Sequence, residues 1–282
     1  VVDGHLVSLK QQLQQHLGCE AGQLEHNLKW WLPLAERVAG QTGPVTLAIG
    51  GAQGSGKSTL AQVLTLILSQ YCGLQVATLS LDDLYFPRRH RRWLAEKVHP
   101  LLATRGVPGT HDVALGLELI RRFRNGRDLS LPRFDKTRDE RWLNREYVQG
   151  PAQVLILEGW CLGAQSQAGT ELAAPVNELE QHEDADGRWR CYVNQRLTNE
   201  YQRLFAQLDE LIYLQAPDWQ QVCQWRWEQE QRHQNGEMSQ PQFQRFMAHY
   251  ERLTRYMLSN PPSQAREIWE LDQNRHIKGS LG

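Results

Sequence analysis

The segment Gly51-Ala52-Gln53-Gly54-Ser55-Gly56-Lys57-Ser58 fits G-x-x-x-x-G-K-[ST] at every fixed position, and Thr59 comes directly after it. Glycines at this spacing let the backbone wrap so that its N–H groups converge on phosphate oxygens. Lys57 can reach the β- and γ-phosphates of a bound nucleotide, and Ser58 can ligate Mg²⁺. Gly51, Ala52, Gln53, Gly54, Ser55, Gly56, Lys57, Ser58 and Thr59 are therefore the expected ATP-binding residues. A glycine-rich turn matching by chance is the competing reading. It does not account for an apolar run just before the motif and a helical pattern just after it.

A cradle shows nucleotide binding and no more; residues further along the chain must decide the chemistry. Ser80-Leu81-Asp82-Asp83-Leu84-Tyr85 falls where a second apolar run ends. Transfer of a phosphoryl group to an alcohol needs a group that orients the hydroxyl and accepts its proton, and an aspartate does this. Asp82 is the expected base; the alternative is that both aspartates cap a helix. Glu158 closes the run Val154 to Leu157, where a carboxylate is costly unless it meets a cation or donors. With Ser58 it is the expected Mg²⁺ site. Arg226, and with it Arg232, lie on a helical pattern and can cover transferring phosphates; a surface ion pair of Arg226 with Glu228 or Glu230 competes. Asp83, Tyr85, His111, Arg133 and Lys136 sit in polar stretches and are the expected substrate contacts. The histidines and acids lack a recognisable metal-ligand spacing. The basic run Arg88-Arg89-His90-Arg91-Arg92 reads as a solvated loop or short helix.

These residues need a scaffold. Residues 5–40 read as two helices broken between Gly18 and Gly22. Apolar runs at Val45–Ile49, Val76–Ser80, Val154–Leu157, Leu211–Leu214 and Ile268–Leu271 read as strands. Phe243, Phe246, Met247, Tyr250, Leu253 and Met257 keep helical spacing, with Ser239 and Gln242 as a capping box. Strands alternating with helices predict a parallel α/β sheet, whose ligands sit at the carboxyl ends of the strands. The expected division is a helical extension at 1–40 packed on a nucleotide-binding domain at 41–282. Residues 86–150 form an irregular substrate-side insertion within it. The polar, acidic stretch 162–190 reads as a surface excursion.

The bulk numbers bound the partners. The chain has 282 residues and a net charge of −1. A nearly neutral chain is not built to bind nucleic acid or an anionic membrane. Five cysteines, with no C-x-x-C, give neither a disulfide framework nor a zinc site and favour a reducing compartment. No secretory leader or membrane-length apolar run is read, so the cytoplasm is the expected location. Oligomeric state is not legible.

The chain resembles the D-glycerate 3-kinase family, one of the P-loop kinases related to phosphoribulokinase, uridine kinase and pantothenate kinase. The resemblance runs from about Leu32 to Ile277. It rests on Gly51 to Thr59, Ser80 to Tyr85, Gly106 to Asp112, Leu131 to Lys136, Leu157 to Gly163, Trp225 to Glu230 and Met238 to Tyr250. It implies a three-layer α/β/α P-loop fold with a mostly parallel sheet, ATP and Mg²⁺ as cofactors, and a small hydroxylated acceptor, D-glycerate first. Matching the motifs places the group's catalytic aspartate on Asp82, its Mg-associated acid on Glu158 and its lid arginine on Arg226. The basic run after Tyr85 and the stretch 164–190 depart from the family's plant-type pattern. A pantothenate- or nucleoside-kinase-like enzyme, or a P-loop switch with no acceptor, remain as alternatives.

Overall fold

The computed structural model describes residues 2–18, 20–232 and 238–281, without the side chains of residues 2–5 and Arg232. Ten strands run in chain order: β1 (Val45–Gly51), β2 (Val76–Ser80), β3 (Leu129–Leu131), β4 (Phe134–Asp135), β5 (Glu140–Arg141), β6 (Glu146–Val148), β7 (Val154–Gly159), β8 (Glu210–Gln215), β9 (Glu267–Leu271) and β10 (Ile277–Leu281). The α-helices are α1 (Val2–Leu17), α2 (Ala21–Ala39), α3 (Lys57–Leu66), α4 (Arg88–Lys97), α5 (Val113–Arg124), α6 (Glu178–Glu183), α7 (Arg188–Arg196), α8 (Gln202–Phe205), α9 (Trp219–Arg232) and α10 (Gln240–Ser259).

The central sheet has the order β10-β9-β8-β1-β7-β2. Its first five strands in chain order are parallel, and β10 returns antiparallel to β9. Strand β1 is buried along its whole length, as a central strand covered by helices on both faces must be. All five apolar runs of the sequence became parallel strands in a three-layer α/β/α sandwich. The strand β10 was not expected: its run Ile277-Lys278-Gly279-Ser280-Leu281 carries only two apolar residues.

Helix α2 buries Leu24, Leu28, Trp31, Leu34, Ala35 and Val38, a stripe of helical spacing, in the main apolar core. At the start of α10, Gln242 accepts a hydrogen bond from the Ser239 amide at 2.8 Å, as the capping pattern anticipates. Among the described residues, no helix is long and apolar enough to cross a membrane, and Cys72, Cys161, Cys191 and Cys223 are free thiols. Cys19 lies outside the described residues.

Three expectations are corrected. The insertion 86–150 is not irregular: it holds α4, α5 and two small two-stranded sheets. Its basic run is helical, and Arg91 is only 1% exposed. That guanidinium donates to the Phe86, Ala103 and Asp139 carbonyls and pairs with the Asp139 carboxylate at 2.8 Å. Nor is the acidic stretch 162–190 a surface excursion. Glu180 and Asp184 are buried and meet Arg252 at 2.6 Å and Arg190 at 2.9 Å. A buried acid without such a partner would be prohibitively costly, so each is placed by an arginine distant from it in sequence or folded back over it.

Candidate active site

Strand β1 runs straight into the glycine-rich loop, and α3 begins at Lys57. Gly54 has φ of 75°, and a Cβ there would lie 2.7 Å from the Trp225 Cβ. Only glycine fits that approach. Gly56, with φ of 93°, turns the chain into the helix and leaves the first amides of α3 open to an anion. Lys57 is buried, and its ammonium donates to the Ala52 carbonyl at 2.9 Å. Burial pushes its pKa down, against the attraction of Glu158 and Asp82.

Glu158 stands near the carboxyl end of β7, in register with Ile49 of β1 and Ser80 of β2. The three adjacent strands therefore open together on one crevice. The Ser58 hydroxyl donates to Glu158 at 3.1 Å. A hydroxyl and a carboxylate this close, beside a phosphate cradle, form the hard oxygen donor set that Mg²⁺ prefers.

Asp82 and Asp83 are adjacent in sequence and opposite in circumstance. An extended strand would have thrown them to opposite faces. Instead residues Leu81–Leu84 form a 3₁₀ turn, and their partners divide them. Asp82 faces the crevice and pairs with Lys136 at 2.6 Å. Its own burial opposes ionisation, but the Lys136 ammonium prevails and holds the carboxyl well below the usual carboxylate range. Asp83 turns inward. It accepts from the Ser80 and Phe134 amides, both at 3.1 Å, and pairs with Arg133 at 2.9 Å. Burial pushes its pKa up, against Arg133.

The crevice encloses about 370 Å³. Of the expected substrate residues, Tyr85 and Lys136 line it, whereas Asp83, His111 and Arg133 do not. His111 is buried behind Tyr85, with stacked rings 4.5 Å apart and its Nδ1 2.6 Å from the Tyr201 hydroxyl. Desolvation pushes its pKa down to about 4. Arg133 ties Asp83 to Glu146 and to the Thr78 carbonyl. Arg226 lines the crevice, pairs with Glu230 at 2.9 Å and lies over the Phe246 ring. The side chain of Arg232 lies outside the described residues.

Two cations of the crevice escaped the sequence reading. Arg105 pairs with Asp139 at 2.5 Å and donates to the Lys136 carbonyl. It directly precedes the Gly106 to Asp112 stretch, which was its only signal. Arg275 donates to the Gly54 carbonyl at 2.7 Å, pairs with Glu228 and lies 5.0 Å above the Trp225 ring. Nothing local marks it. Among the described residues, the Gln53 amide, Ser55 Oγ and Arg226 Nη1 are buried without a hydrogen-bond partner. Three such orphans in and beside one cradle fit a polyanionic ligand that completes their bonding.

No protein-family model matches the chain. It is 31% identical to the uncharacterized kinase mug58 of Schizosaccharomyces pombe, over 66% of this chain and 70% of that protein. It is 27% identical to the chloroplastic D-glycerate 3-kinase of Arabidopsis thaliana over 65% of this chain, spanning 40% of that protein's length. A solved D-glycerate 3-kinase from Cryptococcus neoformans superposes with a TM-score of 0.73 at 26% identity, covering 91% of this chain and 98% of that one. With its cradle, its strand-end acids and these relatives, the chain belongs to the D-glycerate 3-kinase family of P-loop kinases.

Proposed function

We propose that this chain transfers the γ-phosphate of ATP to a hydroxyl of a small acid, with D-glycerate as the leading acceptor. The observation that carries the reading is that the Lys57 ammonium and the Asp82 carboxylate face one crevice from strand ends on either side of β7. Lys57 and the loop amides hold the β- and γ-phosphates, and Arg226 covers the charge that spreads over the transferring group. When bound, Mg²⁺ would be held by Ser58 and Glu158 and would neutralise charge between the β- and γ-phosphates. Asp82 accepts a hydrogen bond from the acceptor hydroxyl. As that oxygen bonds the γ-phosphorus and the β–γ bridging bond breaks, the proton passes to Asp82 and ADP leaves. A carboxyl held so acidic is a weak base, so it orients the alcohol first and takes the proton only as the new bond forms.

The acceptor side supports an acid rather than a nucleoside. Lys136, with its side chain 61% exposed, and Arg105 bring two cations from the 86–150 insertion to the crevice wall. A nucleoside would need a slot between aromatic faces. Instead Trp160 and Phe246 each already touch Tyr250, with centroids 5.1 Å apart and planes at 77° and 59°. A coupled ADP-release screen over D- and L-glycerate, other hydroxy acids, pantothenate and nucleosides tests the reading. D-glycerate should give the highest kcat/KM. Acceptor-independent ATP hydrolysis alone would point to a switch instead.

A further inference from the structure

A second cavity, also of about 370 Å³, lies on the far side of Arg275 from the first. The two share Gly56, Thr59 and Arg275, so a ligand seated on the cradle can continue from one into the other past the start of α3. The walls differ in kind. The crevice with Asp82 is lined by charges. The second cavity has an apolar floor that includes Leu60, Trp269 and Leu271 and a rim of uncharged amides, Gln23, Asn27 and Asn274. Gln23 and Asn27 belong to α2, and Trp31 of the same helix closes the wall.

Helix α2 is fixed there by the far end of the chain. The His26 ring nitrogen meets the Ile277 carbonyl at 3.0 Å, Trp30 packs against Trp269, and Arg37 bridges Glu210 and Glu267. Among the described residues, the side-chain amides of Asn27 and Asn274 have no hydrogen-bond partner. An apolar floor with free amide donors and acceptors at its rim matches a nucleobase, whose faces are apolar and whose edge carries both donors and acceptors. We infer that this cavity is the base subsite for the nucleotide and that α2, outside the P-loop core, supplies one wall of it. The inference rests on reading Gly51 to Thr59 as the phosphate cradle.

Titration calorimetry of the full chain with Mg-ATP and, separately, with inorganic tripolyphosphate tests it. Tripolyphosphate fills the cradle but has no base. The wild-type protein should bind ATP at least about tenfold more tightly than tripolyphosphate. Loss of a hydrogen bond at the rim should weaken ATP binding about three- to tenfold. Asn27→Ala and Asn274→Ala should each do so and leave tripolyphosphate unaffected. Both side chains are at least partly exposed, so neither change threatens the core. Asn27→Phe, which fills the cavity from the rim, should bring ATP down to the tripolyphosphate level. An unchanged ratio between the two ligands in all three variants, with tripolyphosphate still bound, overturns the subsite alone. Failure of the wild-type protein to bind either ligand overturns the cradle reading and the subsite with it.

Discussion

The crevice has two walls made in different ways. The phosphate wall is one continuous segment, Gly51 to Thr59, shaped by backbone geometry and the start of α3. The acceptor wall is gathered from separate stretches: Asp82 and Tyr85 after β2, Arg105 before the Gly106 turn, Lys136 after β4, Tyr250 from α10. Ion pairs hold it together, with Asp139 joining Arg88, Arg91 and Arg105 and Asp83 joining Arg133. The phosphate wall is thus fixed by local sequence, and the acceptor wall by charges meeting across the fold. Phosphate binding should therefore fail with the loop, while acceptor recognition should fail through residues that never touch the acceptor.

The sharpest test of the first half is Lys57→Ala. Turnover should fall by at least about 10³-fold with the circular dichroism spectrum unchanged, because the ammonium has no substitute at the β- and γ-phosphates. Wild-type turnover would dismiss the cradle. Asp82→Asn should lose about 10²- to 10⁴-fold in kcat while ATP affinity holds, since the loop is untouched. Equal loss of ATP affinity would erase the division between the walls.

The backing of the acceptor wall should also be acid-sensitive. His111 titrates near 4 in the folded chain, below the 6.5 of an exposed imidazole. The unfolded chain therefore takes up the proton first. The stability lent by keeping this ring neutral is whole above pH 6.5 and drains away as the pH falls toward 4. Between pH 7 and pH 5 this amounts to about 2 kcal/mol. Urea unfolding at the two pH values should show a correspondingly smaller loss in His111→Phe than in the wild-type protein. Equal losses would remove His111 from the account.

Asp139→Ala frees Arg105 without entering the crevice. Acceptor KM should rise about tenfold, an effect typical of a lost charged hydrogen bond, with the KM for ATP unmoved. The smallest effect should belong to Asp83→Asn. Its kcat should stay within about threefold of wild type, since Asp83 meets Arg133 and two backbone amides rather than substrate. A dead Asp83→Asn beside a normal Asp82→Asn would exchange the two roles.

The sequence was most legible where chemistry and local structure coincide. The loop motif needs glycines at fixed spacing, so the cradle could be read residue by residue. Five parallel strands announced themselves as unbroken apolar runs. The antiparallel edge strand β10 did not, because an edge needs no such run. Asp82 was separated from Asp83 by family pattern; strand alternation cannot separate them, because both lie in a 3₁₀ turn. Arg91, Glu180 and Asp184 read as surface because charge usually is. Their burial depends on partners that no local pattern reveals. Arg105 and Arg275 carry no signal of their own, since what each does is set by the strand, loop or helix brought against it.

The order of strands in the sheet has a consequence for how the protein is made. Strand β1 is central, yet its neighbours come late: Val45 pairs with Val154 of β7, and Leu47 with Glu210 of β8. During synthesis at about 5–20 residues per second, the phosphate loop leaves the ribosome on the order of ten seconds before the second of these strands exists. Through that interval a fully apolar strand has no sheet to join, and the pairings that bury it span long stretches of chain. The segment that does most of the nucleotide binding in the finished enzyme is, in the nascent chain, the one most in need of a chaperone.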